Sequence, residues 1–202
     1  MDLEDIPIGS GNGLLNHEGE TLRWVRPPHP PPMIIDFKRL TVEDLDLLFR
    51  WLNTPHVVEW YGKKKFTPDE VKNQYLPRIN GTEPTKSYII VLDNIQIGYI
   101  QEYFVRDDLE MLKYIDKNSA GIDLFIGKTD YLGKGLGEKI IREFLQKIVF
   151  IENGVTTCIV DPLLSNPRMI HVNEKVGFEY FQTTKENNPR YLMKISKQKM
   201  LI

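Results

Sequence analysis

Tyr131-Leu132-Gly133-Lys134-Gly135-Leu136-Gly137 joins a segment patterned as a strand to one patterned as a helix. Ahead of it, Gly121-Ile122-Asp123-Leu124-Phe125-Ile126 alternates, with Ile122, Leu124 and Ile126 on one face and Asp123 and Phe125 on the other. Behind it, Ile140, Ile141, Phe144, Leu145, Ile148 and Val149 recur at helical spacing as one apolar stripe. A helix that starts at such a turn presents free backbone N–H groups, which favour an anion. The glycines let a ligand come close to that backbone. Gly133, Lys134, Gly135, Leu136 and Gly137 are therefore candidates to cradle a diphosphate. For the glycines alone, a plain tight turn is the competing explanation.

Two nucleotide-binding patterns fail on spacing. A Walker loop has four residues between its first glycine and Gly-Lys-Ser/Thr, but five separate Gly127 from Gly133, and Gly135 follows Lys134. The dinucleotide pattern needs a third glycine where this chain has Glu138.

The turn resembles the acetyl-CoA loop of the GNAT acetyltransferases, whose glycines follow a Q/R-x-x-G-x-G/A pattern. Gly135 and Gly137 match, and Leu132 stands where Gln or Arg is usual. Arg50-Trp-Leu-Asn-Thr-Pro-His-Val-Val-Glu-Trp-Tyr-Gly62, Gln74-Tyr-Leu-Pro77, Ile97-Gly-Tyr-Ile-Gln-Glu-Tyr103, Gly121-Ile-Asp123 and Asp161-Pro162 resemble the aminoglycoside 6'-N-acetyltransferases. The likeness runs from about Phe37 to Met193. It implies acetyl-CoA as cosubstrate, with contacts from Ile126, the 133–137 turn, Asn166 and Asn173. It also implies an acceptor pocket lined by Trp60, Tyr75, Gln101, Tyr103, Asp123 and Asp161. The acceptor it implies is the 6'-amine of an aminoglycoside, a small polycationic molecule.

Composition narrows the setting. At 202 residues the chain suits one domain with a sizeable core. With 26 basic against 28 acidic residues, nothing argues for nucleic acid. The single Cys158 cannot form an internal disulfide, so a reducing, cytoplasmic setting is expected. Cys158 alternates with Val160 and reads as a small core side chain. No apolar run approaches the roughly 20 residues that span a bilayer, and the first residues lack a secretory pattern. We expect no membrane or nucleic-acid partner, no metal, and a monomer or weak homodimer.

Residues 1–32, with Gly9, Gly11, Gly13 and Pro27-Pro-His-Pro-Pro-Pro32, read as an extended arm or a packed strand, and 33–202 as the domain. Strands are predicted over 34–40, 87–92, 96–104, 121–126, 156–160, 178–183 and 191–195. Helices are predicted over 43–53, capped by Thr41 with a partial box at Asp44, and over 68–75. Two more follow the glycine turn and Pro167, the last capped by Asn166 and ended by Gly177. The class is α/β (α+β): a single GNAT-like domain with a mixed, mostly antiparallel sheet flanked by helices.

Acetyl transfer from a thioester to an amine needs a neutral amine and a leaving thiolate that is protonated or otherwise stabilised. Asp123 is the candidate base, because a carboxylate opposite an aliphatic row is costly without a purpose. Asp161 shares a strand face with Val155, Thr157 and Ile159, and Pro162 ends that strand. A plain structural aspartate and a turn cap are the respective alternatives. Glu102, Asp107, Asp108, Glu110 and Asp116 read as a solvated acidic run. Aromatics such as Trp60, Tyr61, Tyr75 and Tyr103 suit sugar faces or cations.

Two residues depart from the resembling families. Asn173 precedes Glu174-Lys-Val-Gly-Phe178 where a tyrosine acid is common, leaving water, Tyr131, Tyr180 or direct thiol release for that step. Leu124 follows the motif aspartate where Gln is usual. Two other functions compete. A siderophore-type acyltransferase shares Trp51 to Val57 but carries His in place of Asp123, and a non-catalytic acetyl-CoA sensor would tolerate Asn173. His56 reads as a structural histidine.

Overall fold

A computed structural model describes residues 33–105, 115–152 and 154–200. The N-terminal arm and Asp107, Asp108 and Glu110 of the acidic run lie outside them. The strands are β1 (Ile35–Arg39), β2 (Lys86–Leu92), β3 (Ile95–Phe104), β4 (Ser119–Ile126), β5 (Thr157–Val160), β6 (Glu179–Thr183) and β7 (Tyr191–Ser196). They form one seven-stranded sheet in the order β1-β2-β3-β4-β5-β7-β6. Every neighbouring pair is antiparallel except β4 with β5. The β2–β3 hairpin turns on Asp93 (φ 47°) and Asn94 (φ 65°), two residue types that tolerate the left-handed region a two-residue turn demands.

The helices are α1 (Leu45–Leu52), the single turn α2 (Pro55–Val57), α3 (Pro68–Asn80), α4 (Leu136–Lys147), α5 (Pro167–Val176) and the short α6 (Lys197–Met200). A 3-10 turn, Val42–Asp44, precedes α1. Both the Thr41 N–H and the Thr41 hydroxyl donate to Asp44 Oδ2 at 3.0 Å, so the shorter aspartate closes the box that its sequence made only partial. Between α2 and α3 the chain makes one π turn, Val58–Gly62.

α3 runs well past the predicted end at Tyr75, through Pro77. Pro77 lacks an N–H, but its carbonyl accepts from the N–H groups of Thr82 (2.9 Å), Glu83 (3.1 Å) and the capping Gly81. The helix therefore stops at Gly81 (φ 75°), not at the proline. α5 begins as predicted: the Met169 N–H donates to Asn166 Oδ1 at 3.1 Å, Pro167 takes the first helical position and Gly177 (φ 104°) ends it.

Strand alternation divides the core between the two faces of the sheet. On one face Ile90, Ile100, Ile122 and Cys158 pack beneath Ile140, Ile141, Phe144 and Leu145 of α4. Phe144 meets the rings of Phe37 and Tyr88 edge-on, at 4.9 and 5.3 Å. On the other face Ile89, Tyr99 and Phe125 pack against Leu48, Trp51 and Leu52 of α1 and Val71 and Tyr75 of α3. Asp123 thus lies on the same strand face as a buried aromatic, as its alternation implied. Cys158 is fully buried, and burial holds its thiol pKa well above the ordinary value.

Just past β4, a Cβ built on Gly127 would fall 2.2 Å from Trp51 Cγ. The indole of α1 therefore rests directly on the end of β4. Gly127→Ala should push that ring aside and lower stability by about 1–3 kcal/mol. Urea unfolding reads the effect as an earlier midpoint; an unchanged midpoint would show that Trp51 is free to relocate.

Candidate active site

The site grows out of the one parallel pair in the sheet. β4 and β5 pair only at Ser119 with Thr157, Ala120 with Cys158 and Gly121 with Ile159. Beyond that, β5 ends at Val160, Pro162 offers no N–H, and β4 continues to Ile126 paired only with β3. Asp123 lies two residues past Gly121, and Asp161 two past Ile159. The two carboxylates therefore stand at the same level on either side of the opening.

Each is held from its own side. Gln101 is the register partner of Asp123 on β3, and its Nε2 donates to Asp123 Oδ2 at 2.8 Å. Gln101 Oε1 in turn accepts from Arg78 Nη1 and from the Tyr99 hydroxyl, both at 2.7 Å. Those two donors fix the orientation of the Gln101 amide. Arg78 Nε is paired with Glu83 at 2.9 Å, and its guanidinium lies 5.0 Å over the Tyr75 ring. Across the opening, Arg190 Nη1 donates to Asp161 Oδ2 at 2.7 Å and to the Asp161 carbonyl at 3.1 Å.

Burial raises the Asp123 carboxyl pKa above the usual carboxylate range, against the Gln101 hydrogen bond and the charges of Arg190 and Arg78. Asp161 is pushed up to about 7, first by burial and then by the negative charge of Asp123, with Arg190 opposing. Two buried carboxylates that repel one another titrate as a pair. The pair therefore releases its last proton far above the pH of an exposed aspartate.

The glycine turn lies at the start of α4. Gly133 (φ 74°) and Gly135 (φ 70°) both adopt left-handed backbone. A Cβ on Gly135 would meet nothing within 4 Å, and one on Gly133 only Arg168 Nη2 at 4.0 Å. The space over the turn is open, as a cradle for an anion requires. Gly137 does a different job: its Cβ would sit 3.3 Å from Val172 Cγ1, so its absence lets α5 pack close to α4. Lys134 Nζ lies 5.6 Å over the Tyr131 ring. The Ile126 carbonyl accepts from His56 Nε2 at 2.8 Å, which gives that histidine a structural contact.

Asn173 is a buried polar side chain with no partner. It is 1 % exposed on α5, and neither its Nδ2 nor its Oδ1 has a hydrogen-bond partner. Leaving such groups unpaired costs about 1–3 kcal/mol. Asn166, by contrast, spends its Oδ1 on the helix cap.

The predicted acceptor residues divide by position. Gln101, Tyr103 and Asp123 come together on β3 and β4, with Tyr103 opposite Gly121. A Cβ on Gly121 would lie 2.2 Å from the Tyr103 ring, so that ring covers the base of the fork. Trp60 is 40 % exposed on the π turn. Tyr75 has no exposed surface; it meets Tyr99 edge-on at 5.6 Å, behind the Arg78–Gln101 contact. Tyr180 stacks on Tyr191 at 4.5 Å and is half exposed.

Glu102 corrects one expectation. It belongs to the interior of β3, not to a solvated run, and is 1 % exposed. Its Oε1 accepts from the Tyr88 hydroxyl at 3.2 Å and lies 3.5 Å from Lys86 Nζ, and burial raises its pKa. Arg78, Tyr99 and Arg190 were not singled out from the sequence. The partners of Arg78 and Arg190 lie 23 and 29 residues away along the chain, at offsets that carry no motif, whereas Tyr99 and Gln101 are neighbours on one strand face. Among the described residues no group of three His, Cys, Asp or Glu could hold a metal, and no helix is long and apolar enough to cross a membrane.

The splayed parallel pair with a glycine turn leading into α4 is the architecture of an acetyltransferase. The family model described as acetyltransferase (GNAT) domain matches residues 41–185, and the chain belongs to that family. Within it, the chain is 36% identical to aminoglycoside N(6')-acetyltransferase type 1 of Klebsiella pneumoniae over 149 residues, 72% of this chain and 74% of the relative. Its fold matches the structure of AAC(6')-Ib in complex with paromomycin and acetyl-CoA at a TM-score of 0.76 and 34% identity, covering 83% of this chain and 96% of that one. The complex of AAC(6')-Ib with coenzyme A and kanamycin matches at a TM-score of 0.75 and 33% identity, covering 83% and 98%.

Proposed function

We propose that this acetyltransferase transfers the acetyl group of acetyl-CoA to the 6'-amine of an aminoglycoside. The observation that carries the reading is the pair of buried carboxylates, Asp123 and Asp161, level with one another across the fork of β4 and β5. A polycationic acceptor suits two negative groups in a poorly solvated cleft. The kinship with aminoglycoside N(6')-acetyltransferases supports the same acceptor.

The residues present fit acetyl-CoA. Gly133 and Gly135 offer the open, left-handed backbone that a pyrophosphate needs over the α4 start. Ile126 lies at the end of β4, beside the path to that turn. Bound acetyl-CoA supplies an activated thioester. We assign to the unpartnered Asn173 amide a hydrogen bond to that part of the cosubstrate, where its Nδ2 could stabilise a departing sulfur without giving up a proton. Asn166 serves by fixing the start of α5.

At the acceptor, Asp123 takes the amine proton, directly or through one water, with Gln101 fixing its carboxylate. Asp161 holds a second positive group of the substrate. Trp60 and Tyr103 flank the ring system, and Tyr75 backs the Arg78–Gln101 wall from within the core. The enzyme acts in the cytoplasm as a monomer or weak homodimer.

The acid limb of the pH–rate profile follows from the pair. Burial holds the Asp123 base protonated above the usual carboxylate range, so kcat/KM should rise with pH above the region where an exposed aspartate titrates. Asp161→Asn removes the neighbouring negative charge, so Asp123 should ionise more readily and the limb should move to lower pH. A limb that stays in place would show that the two carboxylates do not act on each other.

A thiol-release assay across aminoglycosides, polyamines and hydroxylated lysine tests the acceptor. Turnover on kanamycin is expected. Turnover on the hydroxylated amino acid with none on aminoglycosides would refute the proposed acceptor.

A further inference from the structure

The β6–β7 hairpin is stitched to the segment that follows β5. The Leu164 N–H donates to the Pro189 carbonyl and the Tyr191 N–H to the Pro162 carbonyl, both at 2.8 Å. Between those bonds, Leu163 and Arg190 form an antiparallel bridge. The Arg190 N–H donates to Thr184 Oγ1 at 3.0 Å, and its carbonyl accepts the Thr184 N–H at 3.1 Å. The backbone of Arg190 is therefore fixed on both sides.

Its guanidinium reaches over Asp161 and contacts both the carboxylate and the main-chain carbonyl. The Asp161 side chain is 15 % exposed and that of Arg190 45 %. The cation covers the carboxylate from the solvent side. Only the Arg190 end of the pair is half exposed, so its guanidinium can leave for solvent once another cation pairs with the carboxylate. Asp161 is also the carboxylate assigned to a positive group of the acceptor.

We propose that Arg190 is a built-in stand-in cation: it occupies the subsite at Asp161 that takes a second, non-reacting ammonium of a polycationic acceptor, and that ammonium must displace it. The inference rests on the proposed acceptor reading and names the group that reading leaves open. While the cleft is empty, the guanidinium neutralises one of two neighbouring carboxylates. When a polycation enters, one fixed positive charge gives way to another, so Arg190 sets a ceiling on affinity. An amine with no second charge has nothing to offer Asp161 and is indifferent to the exchange.

The test compares wild type with Arg190→Ala, Arg190→Lys and Asp161→Asn/Arg190→Ala. KM for kanamycin is read by thiol release, and Kd for spermine by calorimetry, which needs no turnover. Arg190→Ala should lower both by about two- to fivefold, a change that corresponds to removing one modest charge competition. The effect should fall on KM and not on kcat. Arg190→Lys, which keeps the charge, should stay near wild type. In the Asp161→Asn background, Arg190→Ala should tighten nothing.

A higher or unchanged KM and Kd in Arg190→Ala, in a variant whose thermal midpoint and acetyl-CoA KM match wild type, overturns the inference. If Arg190→Ala folds poorly, Arg190→Gln takes its place with the same expectation. Failure of wild type to turn over any aminoglycoside would defeat the acceptor reading alone, because the spermine arm still reports on Arg190.

Discussion

Asp123→Asn is expected to lower kcat by about 10²–10⁴-fold, the usual cost of losing a general base, while leaving acetyl-CoA affinity near wild type. The substitution keeps the shape of the side chain and its contact with Gln101 Nε2, since the amide oxygen can accept the same hydrogen bond. What it removes is the ability to take a proton from the amine. It also removes a negative charge facing a cationic acceptor, so KM for the drug should rise as well. A rise in KM with kcat unchanged would show that Asp123 only binds. Asp161→Asn is the comparison, with an effect mainly on affinity. If Asp161→Asn were instead the variant that collapsed kcat, the two roles would be exchanged.

Gly135→Val should abolish useful acetyl-CoA binding. Its backbone sits at φ 70° with no atom within 4 Å of a Cβ position, so in the protein alone a side chain there meets no steric obstacle. The left-handed backbone itself costs a non-glycine residue about 1–2 kcal/mol, which lowers the thermal midpoint without unfolding the domain. In the complex the new methyl groups take the place of the pyrophosphate. Losing two charge-assisted hydrogen bonds of about 1.5–3 kcal/mol each raises Kd by about a hundredfold or more. Calorimetry with coenzyme A on the folded variant measures it directly. Wild-type affinity in Gly135→Val would place the pyrophosphate elsewhere.

The parts of the molecule legible from sequence were those written in local patterns. The alternation of 121–126 and the Asn166-Pro167…Gly177 punctuation each depend on residues a few positions apart, and each forms the element expected. The stripe from Ile140 forms α4 through Leu145, but the helix ends at Lys147 and Val149 falls in a following 3-10 turn. The Asp93-Asn94 turn is of the same kind. The helix predicted over 68–75 continues to Asn80 because the Pro77 carbonyl supports the last turn and Gly81 does the ending.

The electrostatic frame of the site was less legible. Asp123 and Asp161 could be singled out as carboxylates in strand-like runs, and Gln101 as a motif residue, but the arginines that support them could not. Arg78 reaches Gln101 from a helix on one side of the sheet, and Arg190 reaches Asp161 from a hairpin at the far end of the chain. Glu102 looked like one more charge in an acidic stretch. Its burial follows from its place inside β3, beside Tyr88 and Lys86. The enclosure of Tyr75 likewise depends on how α3 meets Tyr99 and Arg78, not on its neighbours in sequence.

The most direct test of the proposed activity is to identify the product formed from kanamycin and acetyl-CoA. Mass spectrometry should show a single added acetyl group, and NMR should place it as an amide on the 6'-nitrogen. Acetylation at another amine, or no product from a sample that binds coenzyme A, would contradict the assignment.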